Sequence, residues 1–110
     1  MSDLDRVTRA LAEATQLLEV LRSQHAELVE ASRESNADDE HDPEGATIGF
    51  ERAQLDATIA STRAQVEQLL AARTRIDLGT YGMCEVCGEP IPSARLEVRP
   101  AATTCVRHAG

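Results

Sequence analysis

The sequence predicts a mainly α fold, a long antiparallel coiled-coil hairpin followed by a small domain that carries every cysteine of the chain. Three observations predict it. Apolar residues recur at steps of three and four through two long stretches, and a run rich in turn formers separates them. One Phe, one Tyr and no Trp in 110 residues leave too few large side chains for a wide core. The abundant Ala, Leu, Glu, Gln and Arg favour helix, so the composition suits helices zipped along a narrow seam.

In the first stretch Leu4, Val7, Leu11, Ala14, Leu18, Leu21, His25, Leu28 and Ser32 alternate steps of three and four, the a/d seam of a coiled coil. Ser2 is suited to cap this helix, and Asp3 and Asp5 in its first turn suit the positive end of the helix dipole. His25 reads as a polar interruption that sets register rather than as a ligand.

The second stretch repeats the pattern through Ile48, Arg52, Leu55, Ile59, Thr62, Val66, Leu69, Arg73 and Ile76, with Gly79 offering a stop. Arg52 and Arg73 can bury their stems and keep their charged ends in water. Each helix is expected to run roughly 28 residues, or about 42 Å. The two seams match in length, so the helices are expected to fold back on each other within one chain, which is expected to be a monomer.

Between them lies "SNADDEHDPEGATIG", rich in helix breakers. Asp38, Asp39, Glu40, Asp42 and Glu44 make the bend, at about residues 35–47, an acidic tip. As a solvated turn it needs no function; at the end of a hairpin it can also deliver carboxylates into a partner's basic or metal-bearing cavity. The spacing does not match an EF-hand calcium loop.

Charge narrows the function classes. Residues 1–77 hold sixteen Asp and Glu against eight Arg, whereas residues 78–110 hold three of each, and there is no Lys. Such an acidic chain is poorly suited to direct, sequence-specific nucleic-acid binding, which needs a positive surface. No stretch is apolar and long enough to span a membrane, and the first residues lack the pattern of a secretory signal, so a cytoplasmic location is expected and no membrane partner is. In that reducing setting closely spaced cysteines point to metal or redox chemistry rather than to structural disulfides.

Cys84 and Cys87 form one pair with a two-residue gap, and Cys105 and His108 form another seventeen residues further on. Three thiolates and one imidazole fill a tetrahedral zinc site, leave no open position for an activated water, and make a structural centre with no catalytic residue. Gly88 follows the first pair, where a knuckle needs backbone freedom, and Pro90, Pro92 and Pro100 forbid a long helix between the pairs. A region of this size folds largely on the metal. A redox role for Cys84 and Cys87 lacks the βαβ pattern that would accompany it. With no open metal position, paired nucleophile and base, or phosphate loop, the chain is not expected to be an enzyme.

The stretch "RIDLGTYGMCEVCGEPIPSARLEVRPAATTC" resembles the zinc-finger signature of the DksA/TraR family, and the hairpin with an acidic tip resembles that family's architecture. The resemblance implies domains at 1–77 (hairpin) and 78–110 (DksA/TraR-type zinc finger). It implies a transcription regulator that binds bacterial RNA polymerase directly and inserts the hairpin into the secondary channel. Asp39 and Asp42 fit the tip pattern Asp-x-x-Asp-x-Ala, where Glu44 replaces the alanine, and the tip would be directed at the polymerase active site. Arg99, before Pro100, matches a basic position that members use toward ppGpp, and Arg95 is a second candidate contact for effector or polymerase. The stretch Gln65-Val66-Glu67-Gln68 supplies no base where ppGpp-binding members have one, which argues against a ppGpp response. The alternative from another class is a zinc-stabilised coiled-coil adaptor that joins proteins without entering the polymerase channel.

Overall fold

The computed structural model describes residues 2–36 and 43–109, with side chains over 2–33 and 47–109. The chain forms two long helices, α1 (Asp3–Asn36) and α2 (Pro43–Leu78), then a short helix α3 (Ser93–Val98) and a 3-10 turn (Val106–His108). Among the described residues the β structure is a single bridge between Met83 and Pro90. The mainly α class and the hairpin of long helices are as the sequence predicts.

Both helices outrun the heptads, at 34 and 36 residues. At the start of α1, Ser2 Oγ accepts the Asp5 N–H at 3.1 Å and the Ser2 N–H faces Asp5 Oδ2 at 3.4 Å, a reciprocal cap that satisfies donors the helix leaves unpaired. α2 begins inside the run that reads as a linker. Its first residue is Pro43, whose fixed φ and missing N–H suit a first helical position, so the helix takes in Gly45 and Gly49 despite their poor propensity. At its other end Gly79 takes φ 77°, its N–H bonds the Ile76 carbonyl at 3.1 Å, and the Thr80 N–H bonds that of Arg75 at 2.9 Å. That closure needs the left-handed backbone that glycine accepts, as the sequence predicts.

The chain divides into two compact units, Ala14–Ala64 and Met1–Glu13 with Gln65–Gly110. The second groups the early part of α1 and the late part of α2 with the cysteine segment.

In the Ala14–Ala64 unit, Ala14, Leu18 and Leu21 of α1 and Thr62 of α2 are buried. The Thr62 hydroxyl donates to the Thr58 carbonyl at 2.8 Å, which satisfies a polar group on the seam without a partner helix. Leu28 and Leu55 line one small cavity, and His25, Asp56 and Ile59 another, so the helices pair antiparallel. In the other unit Val7 of α1 and Leu69 and Ala72 of α2 are buried. Three seam positions differ from the heptad reading, since Leu4, Arg52 and Arg73 are all exposed. Leu4 is 45% exposed, at the end of α1. Ala72 rather than Arg73 turns inward, because a helix of 3.6 residues per turn drifts against a 3.5-residue repeat and the smaller neighbour follows Leu69 into the seam.

Candidate metal centre

After Gly79 the chain forms a tight knuckle. The Cys84 N–H bonds the Glu89 carbonyl at 2.8 Å, the Gly88 N–H bonds the Cys84 carbonyl at 2.9 Å, and the Ile91 N–H bonds the Gly82 carbonyl at 2.7 Å. Gly88 takes φ 74°, a conformation that a side chain would strain, so the glycine after the first pair is required by the turn itself. Pro92 precedes α3 and Pro100 follows it, which holds the helix to six residues. The second pair is set by the 3-10 turn, whose His108 N–H bonds the Cys105 carbonyl at 3.0 Å.

Two links bring the pairs together. The Glu85 N–H bonds the Thr103 carbonyl at 2.9 Å, and Cys84, Ile91, Leu96 and Cys105 form one buried cluster with Tyr81 and Ala102 packed against it. A core of so few side chains supplies little burial free energy, so metal binding contributes much of the stability here.

The donor atoms of Cys84, Cys87, Cys105 and His108 all lie within 4.8 Å of one another. His108 Nδ1 is 3.7 Å from Cys84 Sγ and 3.2 Å from Cys105 Sγ, and Cys87 Sγ is 3.9 Å from Cys105 Sγ. A tetrahedral zinc with ordinary bond lengths separates two sulfurs by about 3.8 Å and a sulfur from a nitrogen by about 3.5 Å. The donor set therefore fits one zinc ion, with the imidazole presenting Nδ1 to it. The three cysteines are free thiols rather than disulfide partners.

The electrostatics suit ligation. Burial pushes the Cys84 thiol up, but backbone N–H groups of Cys87, Cys105 and Val86 outweigh it and bring the thiol down to about 6. Burial is the largest influence on Cys105 and raises it, but His108, the Arg107 backbone N–H and Cys87 together bring it below its ordinary value, while His108 is raised by Cys105 first and Cys84 second. The Glu89 backbone N–H lowers Cys87, yet burial and the two neighbouring sulfurs leave it above its ordinary value. A cation among these groups relieves the repulsion between sulfurs. An ion held by these four donors would have no open position, so its chemistry would be structural, crosslinking the knuckle to the second ligand pair.

Two arginines named from the sequence sit on or after α3. Arg95 is half-buried and its Nε donates to the Thr104 carbonyl at 3.0 Å, whereas Arg99 is exposed. Both line a groove of about 700 Å³ together with Gln65, Gln68 and Arg75. Asp39 and Asp42 lie outside the described residues; Glu44 falls in the first turn of α2, and its side chain also lies outside them.

The side chains that hold residues 100–104 carry little signal in the sequence. Tyr81 Oη donates to the Pro100 carbonyl at 2.7 Å and Arg75 Nη2 to that of Ala101 at 3.4 Å. The position of Tyr81 three residues before Cys84 hinted at packing on the knuckle. Nothing in the sequence marks which backbone carbonyl an arginine meets.

Residues 79–107 match the family described as prokaryotic dksA/traR C4-type zinc finger. This segment is a zinc finger of the DksA/TraR family. Among curated proteins, the RNA polymerase-binding transcription factor DksA of Caulobacter vibrioides is 48% identical over 44 residues, 40% of this chain and 31% of the relative. The uncharacterized protein YteA of Bacillus subtilis is 37% identical over 75 residues, 68% of this chain and 31% of that protein. The chain thus spans about a third of the length of these relatives. Transcription factor DksA2 from Pseudomonas aeruginosa shares the fold, with a TM-score of 0.57 and 20% identity over 94% of this chain and 79% of that one. The DksA/TraR finger here departs from the four-cysteine type at its last ligand, where His108 stands just past the matched residues.

Proposed function

We propose that the chain is a transcription regulator that binds bacterial RNA polymerase directly and inserts its helical hairpin into the secondary channel. The observation that carries the reading is the DksA/TraR zinc finger at residues 79–107, attached to a pair of long helices with the fold of a DksA protein. In this reading residues 1–77 are the inserting hairpin, residues 78–110 are the zinc domain that anchors it, and the protein acts in the cytoplasm as a monomer.

The charge distribution supports insertion over DNA contact. Acids outnumber arginines sixteen to eight in residues 1–77, and no Lys is present, so a phosphate backbone would be repelled while a basic channel or a magnesium-bearing centre attracts the hairpin. Asp39, Asp42 and Glu44 are the carboxylates proposed to act near the polymerase active site. Arg95 and Arg99 are the proposed cationic contacts toward polymerase or an effector, and Gln65, Glu67 and Gln68 argue against ppGpp as that effector.

Co-migration of the zinc-loaded chain with purified bacterial core RNA polymerase tests the proposal. Binding that competes with a second secondary-channel protein is expected. Asp39→Asn with Asp42→Asn is expected to keep that binding and lose the effect on transcription. Absence of co-migration would favour the adaptor reading, in which the same finger joins other proteins.

A further inference from the structure

The segment from Pro100 to Thr104 has no regular structure, yet four of its carbonyls accept hydrogen bonds from outside it. Tyr81 Oη takes Pro100, Arg75 Nη2 takes Ala101, the Glu85 N–H takes Thr103 and Arg95 Nε takes Thr104. The last differs from the rest in place, because Thr104 directly precedes the ligand Cys105.

We propose that Arg95 is a positioning residue of the zinc centre, fixing the path of the chain into Cys105 and, through the following 3-10 turn, the direction of His108. Three observations carry this. The Nε to Thr104 bond is 3.0 Å long and partly buried, where a charged donor meeting a neutral carbonyl is worth more than an exposed contact. The next residue on α3, Leu96, is buried in the same cluster as Cys84 and Cys105, so the helix that carries Arg95 is itself seated against the ligands. Cys105 Sγ lies 3.2 Å from His108 Nδ1, closer than Cys84 Sγ at 3.7 Å, so a shift at residue 104 displaces both donors of the second pair together.

Arginine suits this role in a way lysine does not. Nε lies within the planar guanidinium fork and points sideways from the stem, while a lysine ammonium sits at the end of a longer flexible chain. Partners that orient metal ligands in this manner change affinity by about 10- to 100-fold when removed. The residue therefore has a local task that does not depend on any contact of its charge with a partner.

The inference rests on the zinc reading and not on polymerase binding, and its test uses the full chain loaded with zinc. Release of zinc to a chromophoric chelator is followed for Arg95→Lys, Arg95→Gln and, as a control on the same surface, the exposed Arg99→Gln. Both Arg95 variants are expected to release zinc about tenfold faster, with Arg99→Gln matching the parent. The cobalt-substituted protein supplies the second readout. Its visible absorption bands, which report ligand geometry, are expected to shift in both Arg95 variants. Tyr81→Phe, which loosens the same segment away from the ligands, is expected to leave them unchanged. Parent-like release and parent-like cobalt spectra in Arg95→Gln would overturn the positioning role alone. A parent chain that takes up neither metal would overturn it together with the zinc reading.

Discussion

Tyr81 Oη and the Pro100 carbonyl lie 2.7 Å apart, joining the turn after α2 to the start of the segment that leads into Cys105. The ring also packs against the cluster of Cys84, Ile91, Leu96 and Cys105, so one side chain ties the turn after α2, the knuckle and the second ligand pair. Tyr81→Phe keeps the ring and removes the donor, leaving a partly buried carbonyl without its partner. The zinc-loaded variant is expected to lose about 1 kcal/mol, read as a lower melting temperature with metal content unchanged. An unaltered melting temperature would show that water replaces the hydroxyl without loss.

The same phenol makes an alkaline prediction. Burial raises Tyr81 above its ordinary value of 10.0, with Arg6 and Arg75 opposing and Asp3 adding to the rise. A phenol favoured in its neutral form stabilises the fold fully below pH 10.0, and this contribution is lost as pH climbs through the raised value. With one Tyr and no Trp in the chain, ultraviolet absorbance reports this group alone. Titration of the native protein is expected to lag that of the unfolded chain; coincident curves would contradict the burial.

How much of this was legible depends on the length scale of each feature. Ser2, Gly79 and the repeats from Val7 to Leu28 and from Leu55 to Leu69 act locally or periodically, and the structure follows them. The four ligands were legible from two spacings, because a metal demands convergence of a few residue types. The start of α2 was not, since Gly45 and Gly49 read as breakers and Pro43 as part of a turn, yet a proline at a first helical position costs no hydrogen bond. Inward Ala72 and outward Arg73 reflect accumulated drift, which strict heptads conceal. The task of Arg95 depends on a backbone carbonyl nine residues away, and a carbonyl carries no sequence signature.

His25 lies on the seam as its heptad position predicts, with Nε2 buried and 2.7 Å from Asp56 Oδ1 on the facing helix. The contact is off the line that a hydrogen bond takes, and the Asp56 side chain is 59% exposed, so the pair contributes little beyond register. His25→Leu is expected to raise stability by about 1 kcal/mol, because it replaces a poorly satisfied polar group with an apolar seam residue. Thermal melting followed by helical circular dichroism checks it. A lower melting temperature would make the ion pair a stabilising lock.

His108 contributes the fourth donor from a three-residue turn near the end of the described chain. His108→Ala is expected to weaken zinc affinity by about tenfold or more while the long helices keep their circular dichroism signal, and His108→Cys to restore a tight four-sulfur site. Chelator competition separates these outcomes. Parent-like affinity in His108→Ala would remove the imidazole from the centre.

One zinc ion enclosed by Cys84, Cys87, Cys105 and His108 would tie the knuckle to the second ligand pair. Native mass spectrometry of the intact chain, purified without added metal or chelator, measures this most directly. A single species carrying one zinc is expected, shedding it together with the structure of the finger when acidified. A chain found metal-free, with the finger equally folded, would contradict it.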